Sequence, residues 1–219
     1  MLESIGYDSM DEFIKAVVPA NILRKEEIDI GDQKTEEEAL LELDKIAKQN
    51  KVFKSFIGQG HYNCYTPKVI LRNIFENPGW YTSYTPYQPE ISQGRLEALI
   101  NFQTMVSDIT AMDLANASLL DEATAAAEAM TLAKRVSKSK SNTFYVDENC
   151  FENTINVLKT RAKPLGIEIK IGSVEGAKTQ ECYGILIQYP GSDGLIKDHT
   201  DIVSSIKDQK GIAVFAADL

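Results

Sequence analysis

The loop Asn116-Ala117-Ser118-Leu119-Leu120-Asp121-Glu122-Ala123-Thr124 leads into a helical pattern, and a helix N-terminus can hold a phosphate through its free N–H groups and its dipole. Asp121 and Glu122, however, stand where such an anion would dock. A carboxylate within about 4 Å of a phosphate opposes it by on the order of 1 to 4 kcal/mol, according to the local dielectric. Read by itself, the loop argues against phosphate binding, and its acids serve the helix dipole instead. A second stretch, Tyr81-Thr82-Ser83-Tyr84-Thr85-Pro86-Tyr87-Gln88-Pro89-Glu90, sets phenols, hydroxyls, an amide and a carboxylate on a proline-stiffened loop. Its tyrosines either line a small polar pocket or cover a helix edge. Asp218 closes an apolar, strand-like run, and open α/β sheets bind ligands beyond the carboxyl ends of their strands. A carboxylate there either caps a helix or anchors a ligand. Cys64, Cys150 and Cys182 are odd in number and far apart, and His61 and His199 have no ligand cluster beside them. That pattern predicts neither a disulfide framework nor a zinc site, and it suits a reducing compartment.

Regular elements must position these groups. The first 50 residues read as helical: Phe13, Ile14, Val17 and Val18 recur at helical spacing until Pro19 breaks the run. A second helix is expected over Thr35–Asn50, with Thr35 and three glutamates at its start and Leu40, Leu43, Ile46 and Ala47 on one face. From Phe56 to Gln93 glycine, proline and tyrosine punctuate an irregular stretch with one helix-like run, Pro67–Phe75, a composition that suits binding. A long amphipathic helix follows over about Gly94–Met112, with Leu96, Leu99, Ile100, Val106 and Ile109 near one face. An alanine-rich helix, opened by Ser118 with Asp121 three residues on, runs to roughly Val136 and permits close approach to a neighbour.

The remainder alternates strand and helix: strands over Thr143–Val146, Ile167–Ile171, Tyr183–Tyr189 and Ile212–Ala216, helices over Phe151–Ala162 and Asp201–Lys207. Short apolar strands alternating with helices predict a largely parallel sheet with both faces covered. Three segments result: a helical one over 1–55, an aromatic, Pro/Gly-rich loop region over 56–93, and an α/β domain over 94–219 that is expected to be incomplete at its C-terminus. A formal net charge of −9 argues against nucleic acid and anionic membrane surfaces as partners. No apolar run approaches the roughly 20 residues that span a bilayer, and no secretory signal is visible at Met1–Gly6.

Longer blocks then stop being anonymous. Tyr84-Thr85-Pro86-Tyr87-Gln88-Pro89-Glu90-Ile91-Ser92-Gln93-Gly94-Arg95-Leu96-Glu97 resembles the most recognisable stretch of the glycine-cleavage P-protein family, as does Ala115–Glu122 leading into Thr124–Glu128. Pro19–Ile22, Ile57–Cys64, Lys159–Ala162, Gln188–Pro190 and Ala217–Leu219 resemble the family too. The likeness covers essentially the whole chain, in order, and its central block is long and compositionally odd.

The resemblance implies an α/β fold of the aspartate-aminotransferase type, the large domain of a fold-type I pyridoxal-phosphate enzyme, truncated and preceded by N-terminal helices. It implies glycine decarboxylation on pyridoxal phosphate, with the aminomethyl group passed to the lipoyl arm of the H-protein. The family's two similar halves differ: the Schiff-base lysine belongs to the second, and this chain resembles the early part of the first, a degenerate copy. The partners implied are the remainder of the P-protein or its catalytic half, the H-protein, and an oligomer, in bacterial cytoplasm or mitochondrial matrix.

Ser118, Asp121, Glu122, Phe151 and Asp218 then fall at cofactor-site positions of that degenerate copy. Ala123 stands where the family usually shows glycine, and Phe151 where it usually shows the histidine that stacks on the cofactor ring. Asp218 matches in kind the aspartate that pairs with the pyridine nitrogen. None of the lysines lies in a matching Schiff-base context, so the isolated chain is expected to be inactive and not to bind the cofactor alone. Tyr84, Tyr87 and Gln88 are expected to face the glycine or lipoyl side; Arg95 meets either a ligand carboxylate or a neighbouring acid such as Glu97, the ion pair being the plainer reading. A reading from another class stays open, in which the chain is a non-catalytic interaction module that binds a partner subunit through an exposed sheet edge. A self-sufficient aminotransferase-like enzyme would need an anchoring lysine of which the sequence gives no sign.

Overall fold

A computed structural model describes residues 1–26, 28–81 and 93–218, Gln93 in its backbone only. Contacts divide it into two units, Met1–Lys54 and Ser55–Leu219. In the first, α1 (Met10–Val17) begins where the Ser9 hydroxyl accepts the Glu12 N–H at 3.2 Å. It ends at Val18, whose extended backbone is what a following proline imposes. Helix α2 (Glu36–Ala47) opens with a reciprocal cap: Glu38 N–H donates to Thr35 Oγ1 at 3.3 Å and Thr35 N–H to Glu38 Oε2 at 2.8 Å. Neither helix contains a buried residue, so caps and side-chain pairs hold them rather than a core.

The second unit opens with short pieces: α3 (Lys68–Ile70) running into a π-helical turn over Leu71–Phe75, then α4 (Pro78–Tyr81). Helix α5 spans Gln93–Thr110. Of its expected face, Leu96, Leu99 and Val106 are half-buried, whereas Ile100 and Ile109 are exposed. Helix α6 (Glu122–Val136) starts later than expected: its cap is Asp121, whose carboxylate accepts the Thr124 N–H at 2.7 Å, and Ser118 lies exposed in the preceding loop. An aspartate placed three residues before that N–H satisfies the orphan donor directly, leaving Ser118 no donor to cap.

The α/β portion is a parallel sheet of four strands, β1 (Thr143–Asp147), β2 (Glu168–Gly172), β3 (Gly184–Tyr189) and β4 (Ile212–Ala217), in the order β2-β1-β3-β4. Helix α7 (Glu152–Ala162) crosses from β1 to β2, and α8 (Thr200–Asp208) from β3 to β4. Side-chain alternation sorts the strands between two cores. Phe144, Val146 and Leu186 pack with Ala126, Ala127, Met130 and Ala133 of α6 and with Leu158 and Ala162 of α7. Tyr145, Ile185 and Ile187 turn the other way, onto Ile202 and Ile206 of α8 and onto Ala177 and Cys182. The alanines of α6 let it lie close against α7, where Arg161 also pairs with Glu128.

Helices α7 and α8 thus cover opposite faces, and the chain reverses direction across the sheet between β1 and β3. The crevice beyond the carboxyl ends of the strands at such a reversal is where open α/β sheets place ligands.

The core holds two polar anomalies that can be measured. The Tyr183 hydroxyl is buried without a hydrogen-bond partner among the described residues, and burial pushes its pKa up. Its ring lies 5.4 Å from that of Phe144 and 4.8 Å from Lys134 Nζ. Tyr183→Phe keeps both ring contacts and removes the unpaired hydroxyl, so urea denaturation should show the variant more stable by on the order of 1 kcal/mol. A destabilised variant would mean that the hydroxyl has a partner.

Cys150 is buried, and desolvation, aided by Asp147, pushes its thiol from 9.0 up to about 12. The unfolded chain therefore gives up this proton more easily than the folded one. The associated stability is intact below pH 9.0 and is lost as pH rises toward about 12. At pH 8 a disulfide reagent should titrate exposed Cys64 in the folded chain, and buried Cys150 and Cys182 only after unfolding. Fast modification of all three thiols in the native state would contradict that burial.

Candidate functional site

A cavity of about 510 Å³ opens at the carboxyl rim of the sheet. Its floor is Leu186 and Gln188 of β3 with Val214–Ala217 of β4; one wall is the first two turns of α6 (Glu122, Ala125, Ala126, Ala129). Phe151, the N-cap residue just before α7, and Tyr62, Pro190 and Asp218 complete the lining. Gly60 reaches in beneath Phe151 at φ +81°, and a Cβ there would lie 2.8 Å from the Phe151 ring and 3.2 Å from Glu122 Oε2. Only glycine combines that left-handed backbone with so close an approach. Beside it, Asn153 Nδ2 lies 3.4 Å from His61 Nε2 and donates to it when the ring proton is on Nδ1.

The charged lining is acidic, Glu122 and Asp218. Gln188 is 5% exposed; its Nε2 donates to the Ala216 carbonyl at 3.0 Å, while its Oε1 is buried without a partner among the described residues. Glu122 sits in the first turn of α6, and Asp218, whose N–H donates to the Tyr189 carbonyl at 3.0 Å, marks the end of β4. No lysine, arginine or histidine lines the cavity among the described residues.

Of the degenerate cofactor-site positions expected from the sequence, Glu122, Phe151 and Asp218 come together around this cavity, whereas Ser118 and Asp121 do not line it. Asp121 acts from behind: its bond from the Thr124 N–H holds its carboxyl below the usual range and occupies a donor that an anion would need. Tyr84, Tyr87 and Gln88 lie outside the described residues.

Gly60, Tyr62 and Gln188 occur in motifs that the sequence makes conspicuous, but nothing in composition assigned them to a site. A lone amide closing the apolar run Ile185-Leu186-Ile187-Gln188 was the available signal, since a buried strand seldom carries an amide without a use for it.

Pyridoxal phosphate, which the fold type implies, does not suit these residues. Its phosphate would face Glu122 at a helix end whose Thr124 donor is already taken, and no lysine among the described residues lines the cavity to anchor its aldehyde. A second, smaller cavity of about 260 Å³ lies on the same rim among Asp147, Glu148, Glu175, Asp193, Asp198 and His199. Four of its carboxylates have partners: Asp193 with Lys197 at 2.8 Å, Glu175 with Lys178 at 2.8 Å, Asp198 with Thr200 Oγ1 at 2.6 Å, and Asp147 with the Asn149 N–H at 3.1 Å. No metal-holding group of three or more His, Cys, Asp and Glu occurs among the described residues, and no helix there is long and apolar enough to cross a membrane.

Comparison with known proteins accounts for this architecture. The glycine dehydrogenase (decarboxylating) of Pelagibacter ubique (strain HTCC1062) is 56% identical over 219 residues, all of this chain and 23% of that protein. That of Vibrio parahaemolyticus serotype O3:K6 is 54% identical, again over the whole chain and 23% of the relative. This chain therefore spans about a quarter of the length of such curated relatives. A crystal structure of glycine decarboxylase (P-protein) of the glycine cleavage system, in inhibitor-bound form, superposes with a TM-score of 0.81 at 29% identity, over 100% of this chain and 50% of that one. The family model for the glycine cleavage system P-protein matches residues 1–219, and with these likenesses it places the chain in that family.

Proposed function

We propose that this chain is the N-terminal portion of a glycine dehydrogenase (decarboxylating) and that it contributes scaffold and pocket wall rather than the reacting groups. The whole enzyme would decarboxylate glycine on pyridoxal phosphate and pass the aminomethyl group to the lipoyl arm of the H-protein. The cofactor's ring takes up the electrons left when carbon dioxide departs. The cofactor-anchoring lysine would come from the catalytic half, and this chain's partners would be that half and the rest of its own.

One observation carries the assignment of a non-catalytic role: the rim cavity is lined by Glu122, Gln188 and Asp218, with no basic side chain among the described residues to anchor an anionic aldehyde. Phe151 beside Gly60 supports it further, because that apolar ring offers an anionic ligand no hydrogen-bond donor. Ser118, Asp121, Glu122, Phe151 and Asp218 are, on this reading, remnants of a cofactor site. Glu122 and Phe151 now fill and polarise the space, and Asp121 caps α6. Tyr84, Tyr87 and Gln88 would face the substrate side of the assembled enzyme.

Titration of the purified chain with pyridoxal phosphate, then borohydride reduction and peptide mapping, tests the role. The expected result is diffuse, substoichiometric labelling of surface lysines and no saturable visible band. A single lysine labelled stoichiometrically would make the chain a cofactor-binding enzyme in its own right.

A further inference from the structure

We infer that the amino-end rim of the sheet, opposite the cavity, is a docking surface for an acidic segment of a partner protein. Because the four strands run parallel, the segments that enter them all lie at this end. The stretch from Ser137 to Asn142 leads into β1, and its side chains tie it to the other three. The Ser137 hydroxyl donates to the Lys210 carbonyl ahead of β4 at 2.8 Å, and the Ser141 hydroxyl to the Glu181 carbonyl ahead of β3 at 3.0 Å. Asn142 Nδ2 donates to the Gly166 carbonyl ahead of β2. Within the stretch, the hydroxyls of Ser137, Ser139 and Ser141 accept the N–H groups of Ser139, Ser141 and Thr143 at 3.1 to 3.2 Å. Exposure alternates accordingly: the serines are half-buried, and Lys138 and Lys140 between them are exposed.

The charge gathered there runs against that of the whole chain. Arg135 at the end of α6, Lys138, Lys140, Lys163, Lys207 and Lys210 are exposed, and none is in an ion pair among the described residues. The acids in the same segments are Glu168, which takes the Thr143 hydroxyl, Glu181 and Asp208. In a chain of net charge −9 this rim is a local attractor for negative charge. A compact phosphate matches it poorly, because the N–H groups of Ser139, Ser141 and Thr143 that could cradle one are taken by hydroxyls. Nucleic acid matches no better: Phe144 and Tyr183, the rings where β1 and β3 begin, are fully buried and give a base nothing to stack on. Val136 and Leu165, in these segments, are exposed, which suits carboxylates alternating with apolar side chains. Residues two apart in extended chain lie roughly 7 Å apart on one side, so Lys138 and Lys140 match alternate glutamates of an extended partner segment. This surface does not depend on the chain's role in glycine decarboxylation, because no cavity residue takes part in it.

The probe is a fluorescently labelled peptide alternating glutamate and leucine, titrated with the 219-residue chain at pH 7.5 and followed by anisotropy. A glutamine-for-glutamate peptide and an oligothymidylate of equal charge are the comparisons. Saturable binding of the acidic peptide alone is expected. Lys138→Glu with Lys140→Glu should weaken it at least tenfold, and Leu165→Ser severalfold. Lys15→Glu with Lys25→Glu changes the net charge equally outside the rim and should leave binding unchanged. If the reversal on the rim impairs folding, the neutral pair Lys138→Gln with Lys140→Gln decides the matter, with at least a threefold loss expected. The inference is overturned if the acidic peptide does not saturate, if either comparison binds as tightly, or if the Lys15 and Lys25 reversals weaken binding as much as those on the rim.

Discussion

Everything on the functional rim depends on β1 and β3 lying parallel and adjacent with both faces covered. Phe144, Val146 and Leu186 are held on one side by α6 and α7, and Tyr145, Ile185 and Ile187 on the other by α8. Burying each such side chain contributes roughly 1.5 to 3 kcal/mol, so these two strands carry much of the fold's stability. Parallel pairing also forces all four strands to end on the same side. Phe151 after β1, Gln188 and Pro190 at the end of β3, and Asp218 after β4 therefore meet around one cavity although they are far apart in sequence.

The character of the cavity follows from what stands at the helix end that borders it. A helix N-terminus presents partial positive charge, and here the chain supplies its own anions: Asp121 takes the Thr124 N–H and Glu122 sits in the first turn. A site of the same shape with a glycine-rich, uncharged entry would draw phosphate; this one repels it. Phe151 completes the change by bringing an apolar ring within reach of Gly60, where a polar side chain could have served a ligand.

Much of the α/β portion was legible in the sequence. The strand runs Thr143–Val146 and Tyr183–Tyr189 were evident because both are short and mostly apolar, the mark of strands buried on two faces, and the structure extends or trims them by a residue. The start of α2 at Thr35 was equally plain, since a threonine followed by three glutamates marks a helix N-terminus locally. Ser118 misled because it and Asp121 both suit a cap, and spacing alone does not say which N–H is orphaned. The exposed positions on α5, Ile100 and Ile109, show periodicity without a covering surface among the described residues. The short 3₁₀ stretch Val174–Thr179 had no periodic signal at all. Of the residues around the cavity, Glu122 and Asp218 stood out in the sequence by their helix-start and strand-end positions, and Phe151 by family likeness. Gln188 did not, because a buried amide is distinguished only by which of its atoms lacks a partner, and that requires three dimensions.

The central claim is that this portion of a P-protein shapes a pocket without doing the chemistry. Its most direct test is release of labelled carbon dioxide from carboxyl-labelled glycine by the purified chain supplied with pyridoxal phosphate and a lipoyl acceptor. Release no faster than with pyridoxal phosphate alone is predicted. Turnover that saturates with glycine and disappears on heat denaturation would contradict it.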